Sequence, residues 1–444
     1  MADIDREEYD EELERREYRH KRRVRNQIIT YVVSGIILAV VLVGAGLGIS
    51  KVVSVLNDKK HAEELQAQLE ELEAEEPVII EAPVATPEVE EPIEEIDPLA
   101  EIVEGCISEM PLEDKVAGLF MVTPESLTGV DIAVKAGDST KEVLGKYSVG
   151  GLVYHKQNMK SAEQFKEMVT NTQSYSKYTL FFAVAEEGGE NSPVAKSGLA
   201  ENVGTMAAIG ETADSAKAKE AGSSVAGYLS EYGINVNLAP VSDVMLEGNT
   251  TLEERSFGNN AGEVAVMVAA NVEGLEEGGV SACLKHFPGI GSTTEDTSAG
   301  MAVSEKTMED FETTDFLSFQ AGIDAGADFV MVSHLSVPGI TGDNTPSSIS
   351  ETVILEVLRG QMGFEGVVIT DAMNVAAITD YYTADEAAVK AILAGADMIM
   401  MPEDFELAYN GVLEAVNNGT ISEERINESL RRIYRVKCQD KVAE

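Results

Sequence analysis

Residues 285 to 298, KHFPGIGSTTEDTS, combine side chain types that could act on a carbohydrate. Lys285 and His286 supply the hydrogen-bond donors that sugar hydroxyls or anions accept. Glycines and small polar residues follow, and Glu295 and Asp296 then bring two carboxyl groups. A carboxyl group beside a bound substrate can act as a general acid or base. The spacing therefore predicts an active-site loop.

Eight short apolar runs alternate with helical patterns in the part of the chain that contains this loop. The runs span residues 118–122, 151–154, 180–185, 236–241, 282–287, 329–334, 366–372 and 398–402. They show little polar alternation, which is typical of strands buried on both faces. Eight strand–helix repeats predict an α/β fold, a (β/α)8 TIM-like barrel. An open doubly wound sheet would need a Gly-rich phosphate turn after its first strand, and GLFMVTPESLTG contains none.

Catalysis in such a barrel takes place at the C-terminal ends of the strands. Polar or ionisable residues lie at these predicted ends: Tyr154, His155, Glu186, Glu187, Asp243, Lys285, His286, His334, Asp371 and Glu403. Such groups would be costly in a core, so together they predict a site at a solvated mouth, although each alone could be a solvated loop residue. Three of these residues are histidines, which could bind a metal ion. No HxH pair follows the first strand, and no metal is predicted.

Catalysis by a serine or cysteine nucleophile has less support. The sequence contains no GxSxG elbow. Cys283 lies in the middle of a predicted strand, where a buried and inert thiol is expected. The three cysteines, Cys106, Cys283 and Cys438, are too few and too scattered to predict a disulfide framework.

The net charge of the chain excludes one class of binding partner. Its 444 residues include 78 acids against 33 Lys and Arg, for a formal net charge of -45. Such a chain repels nucleic acid, so no nucleic-acid partner is predicted. The excess of acids favours solubility, as in an outward-facing solvated domain.

The N-terminal part of the chain predicts a membrane anchor. Residues 1–27 form a charged tail that ends in a basic cluster, and residues 28–50 are uncharged and mostly apolar. About 20 such residues cross a bilayer as a helix, whereas the alternative, a cleaved signal peptide, usually has a shorter apolar region. Because the basic cluster precedes the span, we expect a single-pass cell-membrane protein with a cytoplasmic N-terminus and an extracellular barrel.

Two further segments separate this span from the barrel. Residues 51–76 predict a helical stalk, in which Leu65, Leu69 and Leu72 either form a weak dimeric coiled-coil seam or belong to a single solvated helix. Residues 77–98 are rich in Pro and Glu, which predicts an extended, self-repelling spacer. The barrel domain is assigned to residues 99–444.

The most specific segments resemble glycoside hydrolase family 3 and, within it, the bacterial β-N-acetylhexosaminidases. They are GGLVYHKQNMKSAEQF (150–165), EEGG (186–189), INVNLAPVSDV (234–244), ERSFGNN (254–260), KHFPGIG (285–291), DFVMVSH (328–334) and GFEGVVITDAM (363–373), in family order. The resemblance implies a TIM barrel that acts on a carbohydrate substrate and needs no cofactor.

The resemblance also implies residue roles. Family members retain anomeric configuration, and Asp371 matches their nucleophile; a carboxylate at a strand end between apolar residues suits that task. Lys285 and His286 match a pair that binds sugar hydroxyls, and Arg255 matches another sugar-binding position. Glu187 and His334, at strand ends, complete the expected substrate-binding set.

The segment after the third strand departs from the family pattern. It usually reads DQEGGRV, and here it reads AEEGGEN. Ala185 replaces a sugar-binding Asp, Glu190 replaces an Arg, and Pro193 stands where a further Arg is expected. Each lost hydrogen bond is worth about 0.5–1.5 kcal/mol, so we expect weaker binding of the family's sugar.

The loop after the fifth strand carries the largest departure. The family's loop reads KHFPGHGxxxxDSH, and its last His is the general acid/base. Here Asp296 keeps the Asp position and Ser298 replaces the His. A serine hydroxyl does not titrate near neutral pH, and losing a positioned acid/base costs about 10²–10⁴ in rate. Either Glu295, Asp296 or Glu187 supplies the proton instead, or the barrel no longer turns substrate over.

Two functions are compatible with these residues. The first is a membrane-anchored, extracytoplasmic glycosidase that acts on β-linked N-acetylhexosamine in cell-wall or host glycans. The alternative is a catalytically degenerate barrel that binds glycan or cell wall as a scaffold. Both predict a carbohydrate partner and contact with the membrane through one N-terminal helix.

Overall fold

The computed structural model describes residues 97–246 and 248–439. The predicted tail (1–27), span (28–50), stalk (51–76) and nearly all of the spacer (77–98) lie outside these residues. No helix within the described ranges is long and apolar enough to cross a membrane.

Eight strands form one parallel sheet. They are β1 (Phe120–Val122), β2 (Gly151–Val153), β3 (Phe181–Val184), β4 (Val236–Asn237), β5 (Ser281–Phe287), β6 (Phe329–Val332), β7 (Val367–Thr370) and β8 (Ile399–Met400). Their order is β7-β6-β5-β4-β3-β2-β1-β8. A parallel bridge between Ile369 and Met398, the residue before β8, brings the two ends of the sheet together. The predicted α/β barrel and its eight strands are therefore confirmed.

Every strand residue is buried, as the runs without polar alternation predicted. Helices cover the outer face of the sheet, so neither face meets water. Aromatic pairs fill part of the interior, for example the rings of Phe181 and Phe329, whose centroids lie 5.1 Å apart in an edge-to-face arrangement.

The helices of the barrel follow their strands in chain order. The α-helices are Pro98–Ser108, Leu112–Ala117, Pro124–Thr128, Asp138–Lys146, Ala162–Tyr175, Pro193–Lys196, Met206–Gly210, Ser215–Glu231, Ala261–Glu277, Met308–Thr313, Asp315–Asp324, Pro338–Thr341, Ala376–Thr379, Ala384–Leu393, Phe405–Asn417 and Glu423–Cys438. Lys156–Asn158 and Ser347–Ile349 are 3-10 helices, and Thr352–Gln361 is a π-helix.

Side chains that cap these helices are visible in the sequence. Ser161 and Gln164 form a capping box at the start of Ala162–Tyr175. Asn260 accepts from the first backbone N–H groups of Ala261–Glu277, and Ser422 does the same for Glu423–Cys438.

A buried carboxylate fastens the C-terminal helix at the point where the barrel closes. Asp397, which is fully buried just before β8, accepts from the Val368 backbone N–H at 2.9 Å. It also accepts from Arg359 at 2.5 Å, Ser429 at 2.8 Å and Arg432 at 3.1 Å. Because Ser429 and Arg432 belong to the last helix, that helix is tied to the closing strands.

Candidate active site

The EEGG segment turns sharply after β3 and directs Glu187 inward. Gly188 and Gly189 have φ angles of 99° and 58°, a left-handed backbone that favours glycine. A Cβ on Gly188 would lie 2.4 Å from the Gly204 carbonyl oxygen. The Glu187 N–H donates to the Asn191 carbonyl at 2.8 Å and closes the turn. The side chain of Glu187 is consequently 4% exposed.

Glu187 joins two cations, one from the loop after β4 and one from β5. Its carboxylate accepts from Arg255 Nε at 2.6 Å and from Nη2 at 2.9 Å, a two-pronged contact. The other ion pair is with Lys285 on β5. Burial raises the pKa of Glu187, but the charge of Lys285 and the hydrogen bond from Arg255 outweigh burial and hold that pKa far below its usual range. Glu187 therefore stays ionised and does not serve as a proton donor.

Asp243, in the segment that follows β4, orients His286. Its Oδ2 lies 2.8 Å from His286 Nδ1, and its Oδ1 accepts from the Ile290 N–H at 2.8 Å. The other ring nitrogen, Nε2, lies 3.5 Å from Arg255 Nη2. Because a guanidinium group only donates, Nε2 accepts there, and Nδ1 carries the proton that Asp243 receives. Asp243 was predicted only as a strand-end residue; the spacing to its partner, 43 residues away, gives no sequence signal.

Asp371 lies at the end of β7, half-buried at the mouth of the barrel. Its N–H donates to the Val332 carbonyl at 2.9 Å, and its Oδ1 accepts from the Ala372 N–H at 2.7 Å. It lies close enough to Arg255 for its charge to raise the pKa of that guanidinium, as the charges of Glu187 and Asp243 also do against burial. Asp371 and the Glu187 network therefore share one mouth.

His334 has a supporting place rather than an open one. Its Nε2 donates to the Ala372 carbonyl oxygen at 2.8 Å, and its Nδ1 lies 2.7 Å from the Ser348 hydroxyl. Burial lowers its pKa, so the ring is neutral at neutral pH. Since both ring nitrogens are engaged, His334 holds the peptide beside Asp371 and presents no nitrogen to a sugar.

The loop after β5 is held against the loop after β4. Asn249, 4% exposed, donates to the carbonyl oxygens of Ile290 at 3.1 Å and Thr293 at 2.8 Å. A Cβ on Gly291 would lie 1.8 Å from the Val244 carbonyl oxygen, so only glycine fits this approach.

The far end of this loop carries the candidate proton donors. Glu295 and Asp296 are exposed; Glu295 accepts from the Val303 N–H at 3.0 Å, and Asp296 accepts from the Ser298 N–H at 2.8 Å. The carbonyl oxygen of Thr297 accepts from the Ala377 N–H at 3.2 Å. The loop end thus rests on the segment that follows Asp371. Ser298 is exposed there.

A cleft of about 620 Å³ opens beside the network, between the ends of β2, β3 and β4. Glu187 and Arg255 form its inner wall. The three departures from the family pattern, Ala185, Glu190 and Pro193, also line it.

The predicted site residues fall into two groups. Glu187, Arg255, Lys285 and His286 are joined by direct contacts, with Asp371 in electrostatic reach of Arg255. Glu295 and Asp296 lie on an exposed loop end next to the segment after β7, and His334 lies beneath Asp371. No group of three or more His, Cys, Asp or Glu side chains suited to a metal ion occurs within residues 97–246 and 248–439.

Curated relatives are similar over much of this domain. The chain is 28% identical to a beta-hexosaminidase A of Pseudoalteromonas piscicida over 328 residues, which is 67% of this chain and 54% of that protein. It is 32% identical to a beta-hexosaminidase of Xylella fastidiosa over 258 residues, or 57% of this chain and 76% of that protein. The chain therefore spans about half the length of the Pseudoalteromonas relative.

A solved structure and a family model agree with these relatives. The structure is a glycoside hydrolase family 3 beta-N-acetylglucosaminidase from Paenibacillus, with a TM-score of 0.69, 31% identity, and coverage of 76% of this chain and 64% of that one. The model of the glycosyl hydrolase family 3 N-terminal domain matches residues 111–436. The barrel with Asp371 and the Glu187 network at its mouth is thus a family 3 barrel, and the chain belongs to glycoside hydrolase family 3.

Proposed function

We propose that the barrel hydrolyses β-glycosidic bonds of N-acetylhexosamine sugars and retains the anomeric configuration, with Asp371 as nucleophile. The observation that carries this proposal is the network in which Glu187 holds Arg255 and Lys285 at the mouth that Asp371 also faces. The names of the Pseudoalteromonas, Xylella and Paenibacillus relatives support the sugar class.

Asp371 would attack the anomeric carbon and form a glycosyl–enzyme intermediate, which water then hydrolyses. The Ala372 N–H donates to one carboxylate oxygen of Asp371 at 2.7 Å. His334 donates to the carbonyl oxygen of Ala372 and so holds Ala372 in place. The nucleophile is therefore oriented before substrate arrives, which reduces the entropic cost of reaching the transition state. Lys285, Arg255 and His286 would donate to or accept from the sugar hydroxyls.

The proton that the leaving oxygen needs would come from Glu295 or Asp296. Glu187 is unsuitable, because its two cations keep it ionised. The loop end that carries Glu295 and Asp296 rests on the segment after Asp371, through the bond from the Ala377 N–H to the Thr297 carbonyl. Most glycosidases use two carboxyl groups, about 5–5.5 Å apart when configuration is retained.

The test compares two aryl glycosides with the full chain. We expect an activated aryl β-N-acetylglucosaminide to be cleaved faster than the aryl β-glucoside, and Asp371→Ala to abolish both activities. Activated aryl groups leave with little acid assistance, so they report on the nucleophile alone. If neither substrate is cleaved, or if Asp371→Ala has native activity, the enzymatic proposal fails.

A second candidate function is binding without turnover. Ser298 and Ala185 favour it, because a non-titrating hydroxyl and a methyl group replace polar groups of the family's site. In that case the full chain would bind N-acetylglucosamine oligomers in a titration, with no cleavage of any aryl glycoside.

We also propose on which side of the membrane the barrel lies. The apolar run at residues 28–50 and the basic cluster before it support a single-pass anchor with the barrel outside the cell. A protease added to intact cells should then remove the barrel from full-length chain in the membrane fraction. Protection from the protease, or recovery in the soluble fraction, would contradict this placement.

A further inference from the structure

The 620 Å³ cleft beside the Glu187 network contains cations that the proposed reaction does not use. Lys156, from the segment after β2, and Lys196, from the segment after β3, both line it. Neither belongs to the contacts that hold Arg255 or Lys285. The cleft therefore has an outer part with its own charged groups, next to the inner part that the sugar would occupy.

The outer part has one more cation than it has carboxylates. Glu190 is ion-paired with Lys196, and the charge of Lys156 also bears on it. Lys156 itself makes no ion pair within 4.0 Å in the described part of the chain. In the inner part, Arg255 and Lys285 lie among three carboxylates, those of Glu187, Asp243 and Asp371, so no cationic excess remains there. A cationic excess stands out in a chain with 78 acids and 33 Lys and Arg.

A buried hydroxyl in the same wall lacks a partner. Ser192 is 1% exposed and lines the cleft, and among the described residues its Oγ has no hydrogen-bond partner. Buried hydroxyls in proteins are nearly always hydrogen-bonded, so this one needs a partner that the described residues do not supply. An anionic oxygen accepts from hydroxyl and ammonium donors alike.

Ala185 adds room at the point where the two parts of the cleft meet. Its methyl group presents neither charge nor hydrogen-bonding atoms, so it does not repel an anion there. Pro193, also in the wall, has no N–H and no polar side chain. The cations that this region offers to a ligand are the two lysines, and the other polar residues beside them are His155, Glu190, Asn191 and Ser192.

We propose that this outer part, the lysine cleft (Lys156, Lys196 and Ser192), binds an anionic substituent, a carboxylate or a phosphate ester, on the sugar held by Arg255 and Lys285. The inference rests on the proposed function for the identity of that sugar. The inference adds a negative charge to the expected sugar substrate, which the family resemblance did not imply. Electrostatic attraction of this kind weakens as salt is added.

The experiment titrates the full chain with three sugars: N-acetylglucosamine, its 3-O-lactyl ether and its 6-phosphate. We expect at least one acidic sugar to bind about tenfold more tightly than the neutral one, the ratio that one charge-assisted hydrogen bond supports. Comparing the 3-O-lactyl ether with the 6-phosphate shows whether the bound anion is a carboxylate or a phosphate ester. The preference should fall as potassium chloride is raised.

Variants identify the lysines as the cause. In Lys156→Met/Lys196→Met the ratio of acidic to neutral affinity should fall to about one, since no cation remains in the outer part. Lys156→Arg/Lys196→Arg should keep the preference. Lys160→Met is the matched control, because it removes one exposed charge four residues along the chain and outside the cleft. Melting temperatures verify that each variant is folded.

Two results would overturn the inference: equal affinity of the native chain for all three sugars, or an acidic preference that survives in Lys156→Met/Lys196→Met. The outcome is separable from that of the proposed reaction. Preferential binding without cleavage of any aryl glycoside would refute the hydrolase and leave the lysine cleft standing. Cleavage without preference would refute the lysine cleft alone.

Discussion

At the scale of single residues, Glu187 is the group on which most of the site depends. It is buried, and it neutralises Arg255 from the β4 loop and Lys285 from β5. Two cations packed at one mouth repel each other, so the carboxylate between them is what allows both to lie there. Its role is therefore positional and electrostatic, and the proposed nucleophile, Asp371, is a separate residue.

We expect Glu187→Gln to destabilise the barrel and abolish sugar binding. Removing one partner of a buried ion pair costs about 3–5 kcal/mol, because the remaining charges stay buried without compensation. Chemical denaturation measures the stability and titration with N-acetylglucosamine measures the binding. Glu190→Gln, on the same turn but exposed, is the control and should unfold like the native chain. Equal stability of both variants would contradict the role given to Glu187.

Ser298 stands where the family resemblance implies a general acid/base, and replacing Ser298 offers a direct test. We expect Ser298→His to speed the cleavage of glycosides with poor leaving groups by about 10²-fold, because a positioned imidazole donates the proton that serine does not. Cleavage of an activated aryl glycoside should change little. Ala299→His, one residue along the same exposed loop, serves as the control. An equal gain in both variants would show that position 298 is not special.

At the scale of elements, the loops after β4 and β5 act as one unit. Asn249 accepts from the Leu252 N–H at 3.2 Å within its own loop and donates to Thr293 and Ile290 in the other. The β5 loop begins directly after the end of β5, where His286 lies, and carries Glu295 further along. Its attachment to the neighbouring loop thus determines the geometry of both.

We expect Asn249→Ala to loosen this unit. Several buried carbonyl oxygens lose their donor, and each such loss costs about 1–3 kcal/mol. The free energy of unfolding should fall by about that amount, and KM for an aryl β-N-acetylglucosaminide should rise more than kcat falls. Thr250→Ala, at the exposed neighbouring position, should change neither quantity. An unchanged KM in Asn249→Ala would mean that the loops are positioned independently.

At the scale of the whole molecule, the face of the barrel opposite the site carries a half-buried pair of acids, Glu276 and Asp328. Glu276 accepts from the Ala282 N–H at 2.8 Å, and Asp328 accepts from the Ser281 hydroxyl at 2.6 Å. Burial and the nearby charge of Asp328 raise the pKa of Glu276 to about 8. The folded barrel therefore keeps a proton on this residue at a pH where the unfolded chain has released it.

This raised pKa predicts a stability that declines with rising pH. The contribution is complete below the ordinary pKa of Glu276, 4.5, and is lost as pH rises towards about 8. Across that window it changes by about 1.4 kcal/mol for each pH unit. Glu276→Gln keeps an acceptor for the backbone N–H but does not titrate. We expect the native chain to lose stability relative to this variant between pH 5 and 8; a constant difference would contradict the assignment.

Much of the barrel could be predicted from the sequence, for a local physical reason. A strand buried on both faces needs a short run of apolar residues, and eight such runs separated by amphipathic stretches specify a closed α/β barrel. The strand ends then follow, and with them the expectation that Lys285 and Asp371 share one mouth; Arg255 was expected there from the family resemblance. Family membership could also be predicted from the sequence, because each matching segment is a continuous stretch of residues.

The partnerships within the site were decided only by the tertiary structure. Asp243 and His286 are 43 residues apart, and Glu187 and Arg255 are 68 apart, so no local pattern pairs them. His334 illustrates the same limit: its strand-end position suggested a sugar ligand, and folding instead engaged both of its ring nitrogens beside Asp371. The lysine cleft likewise exists only because the segments after β2 and β3 meet. The sequence specifies which residues reach the mouth of the barrel, since burial follows local periodicity. Which of those residues touch depends on distances across the barrel, and only the closed tertiary structure determines those distances.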